Sequence, residues 1–191
     1  MAVGTRDRVL DVSLRLFATN GFAGTSVSQI EAAAGLASGS GSFYRHFRSK
    51  EEVFLAVVGR ELDLVRARED GLAAAPDDDG ALARRERVRD QIADNQRFLR
   101  ERALLIAVLM RDGGRFPALA EDFGKLHELI VTVPDEISEA ARLAGRDAAA
   151  TATVVLSASL GYHFMTAFVG GPPADVDPER FADALAAMVT T

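Results

Sequence analysis

The sequence predicts an all-α protein of about nine helices, with an N-terminal three-helix domain and a larger C-terminal helical body. Three observations carry that prediction. Apolar residues recur at helical spacing, as in Leu10, Leu14 and Phe17. Glycines, prolines and capping residues punctuate the chain between the apolar stripes. No segment shows the strict alternation of a strand. The 191 residues are 48% apolar, ample for a core. There is no cysteine, which excludes disulfides, thiolate catalysis and Cys-ligated zinc. The three histidines (His46, His127, His163) lie far apart in sequence, so no metal and no cofactor is expected.

The first helix is predicted from Thr5 to Thr19, and Asn20-Gly21 stops it, since both residues tolerate the left-handed conformation. Thr25 or Ser26 caps a second helix from Val27 to Ala34. Gly35 supplies the turn, Leu36 the apolar plug, and a third short helix opens at Ser38 and ends near Tyr44 or His46. This order of parts is a helix-turn-helix, the device that lays one helix in the major groove of DNA. Ser49 and Glu52 form a capping box for a fourth helix from Lys50 to about Ala73. Residues 1–48 are therefore read as the DNA-binding domain, 49–75 as a connecting helix and 76–191 as a second domain, with Pro76–Gly80 as linker.

Beyond the linker, Ala81 to Met110 is helical, with a separate second half from Arg100 onward, and Asp112-Gly113-Gly114 breaks it. Phe116-Pro117 starts a helix with the stripe Phe116, Ala120, Phe123, His127 and Ile130, which Pro134 interrupts before it continues to Leu143. The next helix runs from Arg146 to Val169 and is ended by Gly170-Gly171-Pro172-Pro173. Asp177-Pro178-Glu179 opens the last, with cap and N1 proline in their preferred places.

From Ala148 to Val169 there is no formal charge, and the run is long enough for a membrane span. Alanine, threonine and serine dilute it, so the favoured reading is a helix that packs its own domain on one face and a second subunit on the other. Phe181, Leu185 and Met188 give the last helix a stripe for the same job, so two helices from each subunit would make a four-helix interface. Its expected residues are Ala152, Leu156, Ser159, His163, Phe181, Leu185 and Met188. Arg6, Asp7, Arg8 and Asp11 interrupt any apolar run near the N-terminus, so a cytoplasmic protein without membrane attachment is expected.

The net charge of −6 divides unevenly. Residues 1–60 carry seven Lys/Arg and five Asp/Glu, whereas the rest carry 15 and 23, so a head of +2 sits on a body of −8. That asymmetry fits a DNA reader whose other part is repelled by phosphate. Gly39-Ser40-Gly41-Ser42 lacks the preceding strand and Gly-Lys-Ser/Thr ending of a nucleotide loop, and no serine lies in a Gly-x-Ser-x-Gly elbow. No enzyme activity is expected.

Residues 5–60 resemble the N-terminal domain of TetR-family transcriptional regulators. The matching residues are Phe17, Asn20-Gly21-Phe22, Thr25-Ser26-Val27, Ile30, Ala33-Ala34-Gly35-Leu36, Phe43-Tyr44-Arg45-His46-Phe47 and Ser49-Lys50-Glu51. Leu36–Ser42 is two residues longer than the commonest family form, and glycine costs roughly 1 kcal/mol against alanine within a helix. The start of helix three is therefore expected to form loosely without DNA.

The resemblance implies phosphate contacts by Thr25, with Ser26 beside it, and by Tyr44, His46 and Lys50, groups that can all donate to an anion. Base readout falls to helix three: Ser38, Ser40, Gly41, Ser42 and Arg45, of which Arg45 alone could take guanine bidentately or else be a solvated charge. Phe47 is read as a core aromatic. The body resembles the family's ligand-sensing and dimerisation domain. The implied partners are double-stranded DNA with a palindromic operator, a second copy of the chain and an unidentified small-molecule effector that releases a repressor. Candidate pocket residues are Phe98, Leu105, Leu109, Phe116, Phe123, His127, Ile130, Tyr162 and Phe164.

Overall fold

The computed structural model describes residues 4–37, 41–69, 80–119 and 135–191. Within them are eight α-helices and no strand: α1 (Thr5–Asn20), α2 (Val27–Ala33), α3 (Lys50–Glu69), α4 (Ala81–Glu101), α5 (Ala103–Asp112), α6 (Asp135–Leu143), α7 (Ala148–Phe164) and α8 (Pro178–Thr190). Short 3-10 turns occupy Phe43–Arg45, Gly113–Arg115, Pro117–Leu119 and Pro173–Asp175. The all-α prediction holds. Packing divides the described residues into two compact units, 4–69 with 102–119, and 80–101 with 135–191. Residues 102–119 thus pack with the head rather than within one continuous domain over 76–191, and Arg102, outside both α4 and α5, is where the chain changes units.

In the first unit, α1 packs on α2, α3 and α5 around Val9, Leu10, Phe17, Ile30, Val53, Phe54 and Val57, all essentially without solvent exposure. Aromatic rings fill its centre. Phe54 meets Phe17 edge-on at 5.2 Å and Phe22 at 5.4 Å, and stacks on Phe116 at 4.3 Å. Such pairs add about 0.5–1.5 kcal/mol each beyond area burial. Arg60 of α3 pairs with Asp11 of α1 at 2.7 Å, and the buried Glu61 lies 3.1 Å from Arg60 and 3.9 Å from Arg102.

The turn after α1 is held from three sides. Gly21 ends the helix at φ +75°, and a side chain there would also meet Arg111 Cδ at 3.0 Å. Arg111 of α5 donates to the last carbonyls of α1, at 3.2 Å from Ala18 O and 2.9 Å from Thr19 O. Asp112, itself buried, accepts from Phe22 N–H at 2.7 Å. Lys50, the first residue of α3, donates to Phe22 O and Thr25 O, both at 2.7 Å, with its ammonium 4.2 Å from the centre of the Phe22 ring.

Helix three departs from expectation. Ser38 and Ser40 lie outside the described residues, and what is described of the segment is the single 3-10 turn Phe43–Arg45. Gly41 stands at φ +71°, a conformation that no right-handed helix passes through. The expected helix from Phe116 begins as the 3-10 turn Pro117–Leu119, and Phe123, His127, Ile130 and Pro134 lie outside the described residues.

The second unit is a bundle of α4, α6, α7 and α8, with α4 packed chiefly on α8. Its core joins Val88, Ile92, Ile137, Ala140, Val155, Ala182, Leu185, Ala186 and Val189. Asp147 caps α7 through Ala150 N–H at 3.0 Å, and Asp177 caps α8 through Glu179 N–H and Arg180 N–H at 3.0 and 2.9 Å. Tyr162 stacks on Phe181 at 4.3 Å and donates its hydroxyl to Val176 O at 2.7 Å.

The side of α7 expected to face a second subunit is instead the inner one. Ala152, Ser159, His163 and Leu185 are all buried within the unit, Leu156 and Phe181 are half-buried, and Met188 is exposed. The reason is physical: α7 is apolar around its whole circumference, so no stripe in the sequence distinguishes its two faces. The outer face presents Val154 and Phe164, and the π-helical turn that follows the helix exposes Met165, Phe168 and Val169. Ala148–Val169 is long and apolar enough to cross a membrane by length and composition alone.

Two polar atoms on the inner side, Ser159 Oγ and His163 Nε2, are fully covered and lack a hydrogen-bond partner among the described residues. An unmet buried group costs about 1–3 kcal/mol. Burial, and then the charge of Arg100, push the His163 pKa below its ordinary 6.5. The unfolded chain therefore protonates His163 first, so its contribution to stability is complete above 6.5 and is lost as pH falls toward the lowered pKa. Urea midpoints measured at about pH 7.5 and about pH 5.5 should fall more steeply for the native chain than for His163→Gln. Replacing Asp112 by Ala leaves the buried Phe22 N–H unpaired, and should lower stability by about 1–3 kcal/mol in the same assay.

Candidate nucleic-acid interface

The clamp on residues 20–25 sets the start of α2 and, through Lys50, the start of α3. Ser26 caps α2: its Oγ accepts from Gln29 N–H at 3.2 Å, and Gln29 Oε1 accepts in return from Ser26 N–H at 2.7 Å. Ser26 remains exposed beside this cap. Thr25, by contrast, is buried, and its hydroxyl lies 2.8 Å from Gly21 O and 3.2 Å from Leu16 O. That hydroxyl proton is used inside the head, so Thr25 cannot offer it to a phosphate in this conformation. Lys50 is committed in the same way. Its ammonium is half-buried and fixes two carbonyls of the turn, a positioning role that the sequence did not reveal.

The 3-10 turn directs its residues both ways. Phe43 and Phe47 enter the core, 0% and 1% exposed, which matches the core reading of Phe47. Tyr44, packed edge-on against Phe43 at 5.2 Å, is 61% exposed, and Arg45, His46 and Arg48 are exposed next to it. Gly41 and Ser42 lead into this turn half-buried. Ser49 Oγ then accepts from Glu52 N–H at 3.2 Å, and Glu52 closes the cap by accepting from Arg48 N–H at 2.6 Å. Between Asn20 and Lys50 the sequence has a single carboxylate, Glu31, and that one is 4% exposed. The described surface of this stretch therefore shows cations, hydroxyls and a phenol, and no acid. Arg48 completes the row and was not singled out from sequence, although the alternation of Arg45, His46 and Arg48 with the core rings Phe43 and Phe47 is readable there.

The expected effector residues are divided between the units. Leu105 and Leu109 are buried in the first, and Phe116 belongs to its aromatic cluster, stacked on Phe54 and edge-on to Phe22 at 5.0 Å. Phe98 is half-buried and Tyr162 buried in the second unit. Phe164 is 44% exposed there, on the outer face of α7.

Comparison with known proteins bears on the same stretch. Residues 9–57 match the family model described as bacterial regulatory proteins, tetR family. Over 75 residues, 37% of the chain, the sequence is 35% identical to the uncharacterized HTH-type transcriptional regulator YerO of Bacillus subtilis. Over 50 residues, 26% of the chain, it is 44% identical to the HTH-type transcriptional regulator AcrR of Shigella flexneri. These alignments span only 25% and 22% of the two relatives' own lengths. Two solved structures share the fold along nearly the whole chain. AibR, crystallised in complex with isovaleryl coenzyme A and operator DNA, matches with TM-score 0.66 and 19% identity over 97% of each chain. GusR of Salmonella enterica matches with TM-score 0.57 and 24% identity, over 97% of this chain and 93% of that one. The match falls on the head, and over residues 9–57, which include Phe17, Phe22, Lys50 and Phe54 of the clamped turn and aromatic core, the chain is similar to the tetR family of bacterial regulatory proteins.

Proposed function

We propose that the protein is a homodimeric, sequence-specific DNA-binding regulator of transcription, a repressor released from a palindromic operator by a small molecule. The observation that carries this reading is the acid-free described surface between Asn20 and Lys50, with Tyr44, Arg45, His46 and Arg48 exposed close together in sequence. A surface of that kind attracts phosphate, while the acidic remainder of the chain repels it. Tyr44 and His46 donate to backbone phosphates, and Ser26 stands at the exposed start of α2, where free N–H groups also favour an anion. Arg45 reads a base edge together with the segment Ser38–Ser42, whose small side chains permit close approach.

A second copy is needed because one head of this size reads only half a site. The outer face of α7, with Val154 and Phe164, the residues Met165 and Val169 of the turn that follows it, and the exposed Met188 of α8 supply an apolar surface for it. The effector reading is supported by the shared fold with AibR, which was crystallised with both a coenzyme A thioester and operator DNA. Such a protein works in the cytoplasm and performs no catalysis.

Genomic DNA fragments retained by the purified protein should share a palindromic sequence, and log affinity should fall linearly with log salt. Tyr44→Phe and Arg45→Ala should each weaken retention several-fold with an unchanged melting temperature, Arg45→Ala also relaxing the base preference at one position of each half-site. Lys50→Ala should weaken retention and lower the melting temperature together, because the ammonium acts through the turn. Sedimentation equilibrium should give a dimer. A stable monomer without affinity for any duplex at low salt overturns the proposal.

A further inference from the structure

The inner side of α7 carries a group of polar side chains that the fold does not use. Ser159 and His163 stand one helical turn apart and face α4, where Gln96 donates Nε2–H to Ser159 O at 3.0 Å. All three are nearly free of solvent, at 2%, 1% and 4% exposure for Gln96, Ser159 and His163. Yet Ser159 Oγ and His163 Nε2 find no hydrogen-bond partner among the described residues. Two apolar side chains of the same size would pack there without leaving a donor unmet, so their presence points to an occupant. Arg100 stands one turn beyond Gln96 on α4, near enough for its charge to act on both His163 and Tyr162. It is exposed and makes no ion pair among the described residues. Phe168 supplies an aromatic edge 6.1 Å from the His163 ring. Directly after His163 the backbone loses α-helical regularity: Met165–Val169 form a π-helical turn, with Gly170 at φ +119° closing it. Interruptions of this type accompany functional sites.

We propose that Ser159, His163 and Arg100, with Gln96 holding the α4–α7 spacing, form a binding site for a small organic carboxylate. The assignment rests on the effector-sensing reading above and gives it a ligand class. A carboxylate oxygen only accepts hydrogen bonds, and this group offers three kinds of donor: a hydroxyl, an imidazole N–H and a guanidinium. Burial and Arg100 hold His163 neutral, so the imidazole donates through Nε2–H without adding a second charge. The anion balances Arg100, and the Phe168 edge suits an apolar or aromatic body behind the carboxylate. The π-helical turn that follows α7 is the backbone that opens to admit it.

The test uses the full chain without DNA and benzoate as the probe, with benzamide as its uncharged counterpart. Histidine ring signals are tracked by NMR, that of His163 identified by its loss in His163→Gln. Benzoate at about 10 mM, ten times a Kd of about 1 mM, should move the His163 signal in a saturable way. It should also raise the pH at which His163 titrates, because a neighbouring anion favours the imidazolium. Benzamide should do neither. Arg100→Gln and Ser159→Ala should each weaken benzoate binding at least fivefold while leaving the helical content unchanged. An unmoved His163 titration, an equal response to benzamide, or unaltered binding in Arg100→Gln overturns the site. If benzoate binds as described but DNA retention does not respond to it, the site stands and the effector reading fails, so the two claims separate.

Discussion

Between the last turn of α1 and the first of α2, the chain must change direction within a few residues while its backbone groups are shut away from water. Buried N–H and C=O groups must be paired, and the turn pairs only some of them internally, as with Thr25 N–H to Phe22 O at 3.4 Å and the Thr25 hydroxyl to Gly21 O. The protein supplies partners from elsewhere: an ammonium from the start of α3 for two carbonyls, and from the end of α5 a carboxylate for an N–H and a guanidinium for the final carbonyls of α1. These charge-assisted bonds are stronger than neutral ones, and one from Lys50 and one to Asp112 meet at the backbone of Phe22. Phe22 in turn leans on Phe54 and Phe116, so polar pairing and aromatic packing fix the same few atoms. The exposed row at Tyr44 depends on that turn as well, because Lys50 ties it to the start of α3, where the row ends.

The second unit solves a different problem. Its helices close an apolar core in which short residues such as Ala140, Ala182 and Ala186 allow close approach. Into that core α7 brings Ser159 and His163, groups that weaken it, alongside a face that no described part of the chain covers. Stability is given up on both sides of one helix. Departures of that kind collect where a protein binds something.

Much of this was legible in the sequence, and the reasons differ by element. Capping residues and glycine stops are local chemistry, so the limits of α1 and the opening of α8 at Pro178 could be read directly, whereas the break expected at Arg100 falls at Arg102, which makes no capping bond. The aromatic pattern around Tyr44 separated inward from outward rings. Two things were beyond local reading. Asp112 and Phe22 are 90 residues apart, and nothing in either segment announces the other. The orientation of α7 was equally hidden, since a helix apolar all round has no preferred inside. Gly41 shows the opposite case. Its helix-breaking tendency was noted, yet a left-handed backbone at that position depends on surroundings the sequence does not state.

The attachment of α5 to the head has a practical corollary for anyone building chimaeras. A cut at the Pro76–Gly80 linker, where sequence alone would place the junction, strips away Arg111, Asp112 and Phe116 and leaves one flank of the aromatic cluster wet. A transplantable reading head from this protein is therefore discontinuous: it consists of the first 69 residues plus the stretch from 102 to 119, and a fusion partner has to be spliced into the gap between them rather than appended to an end.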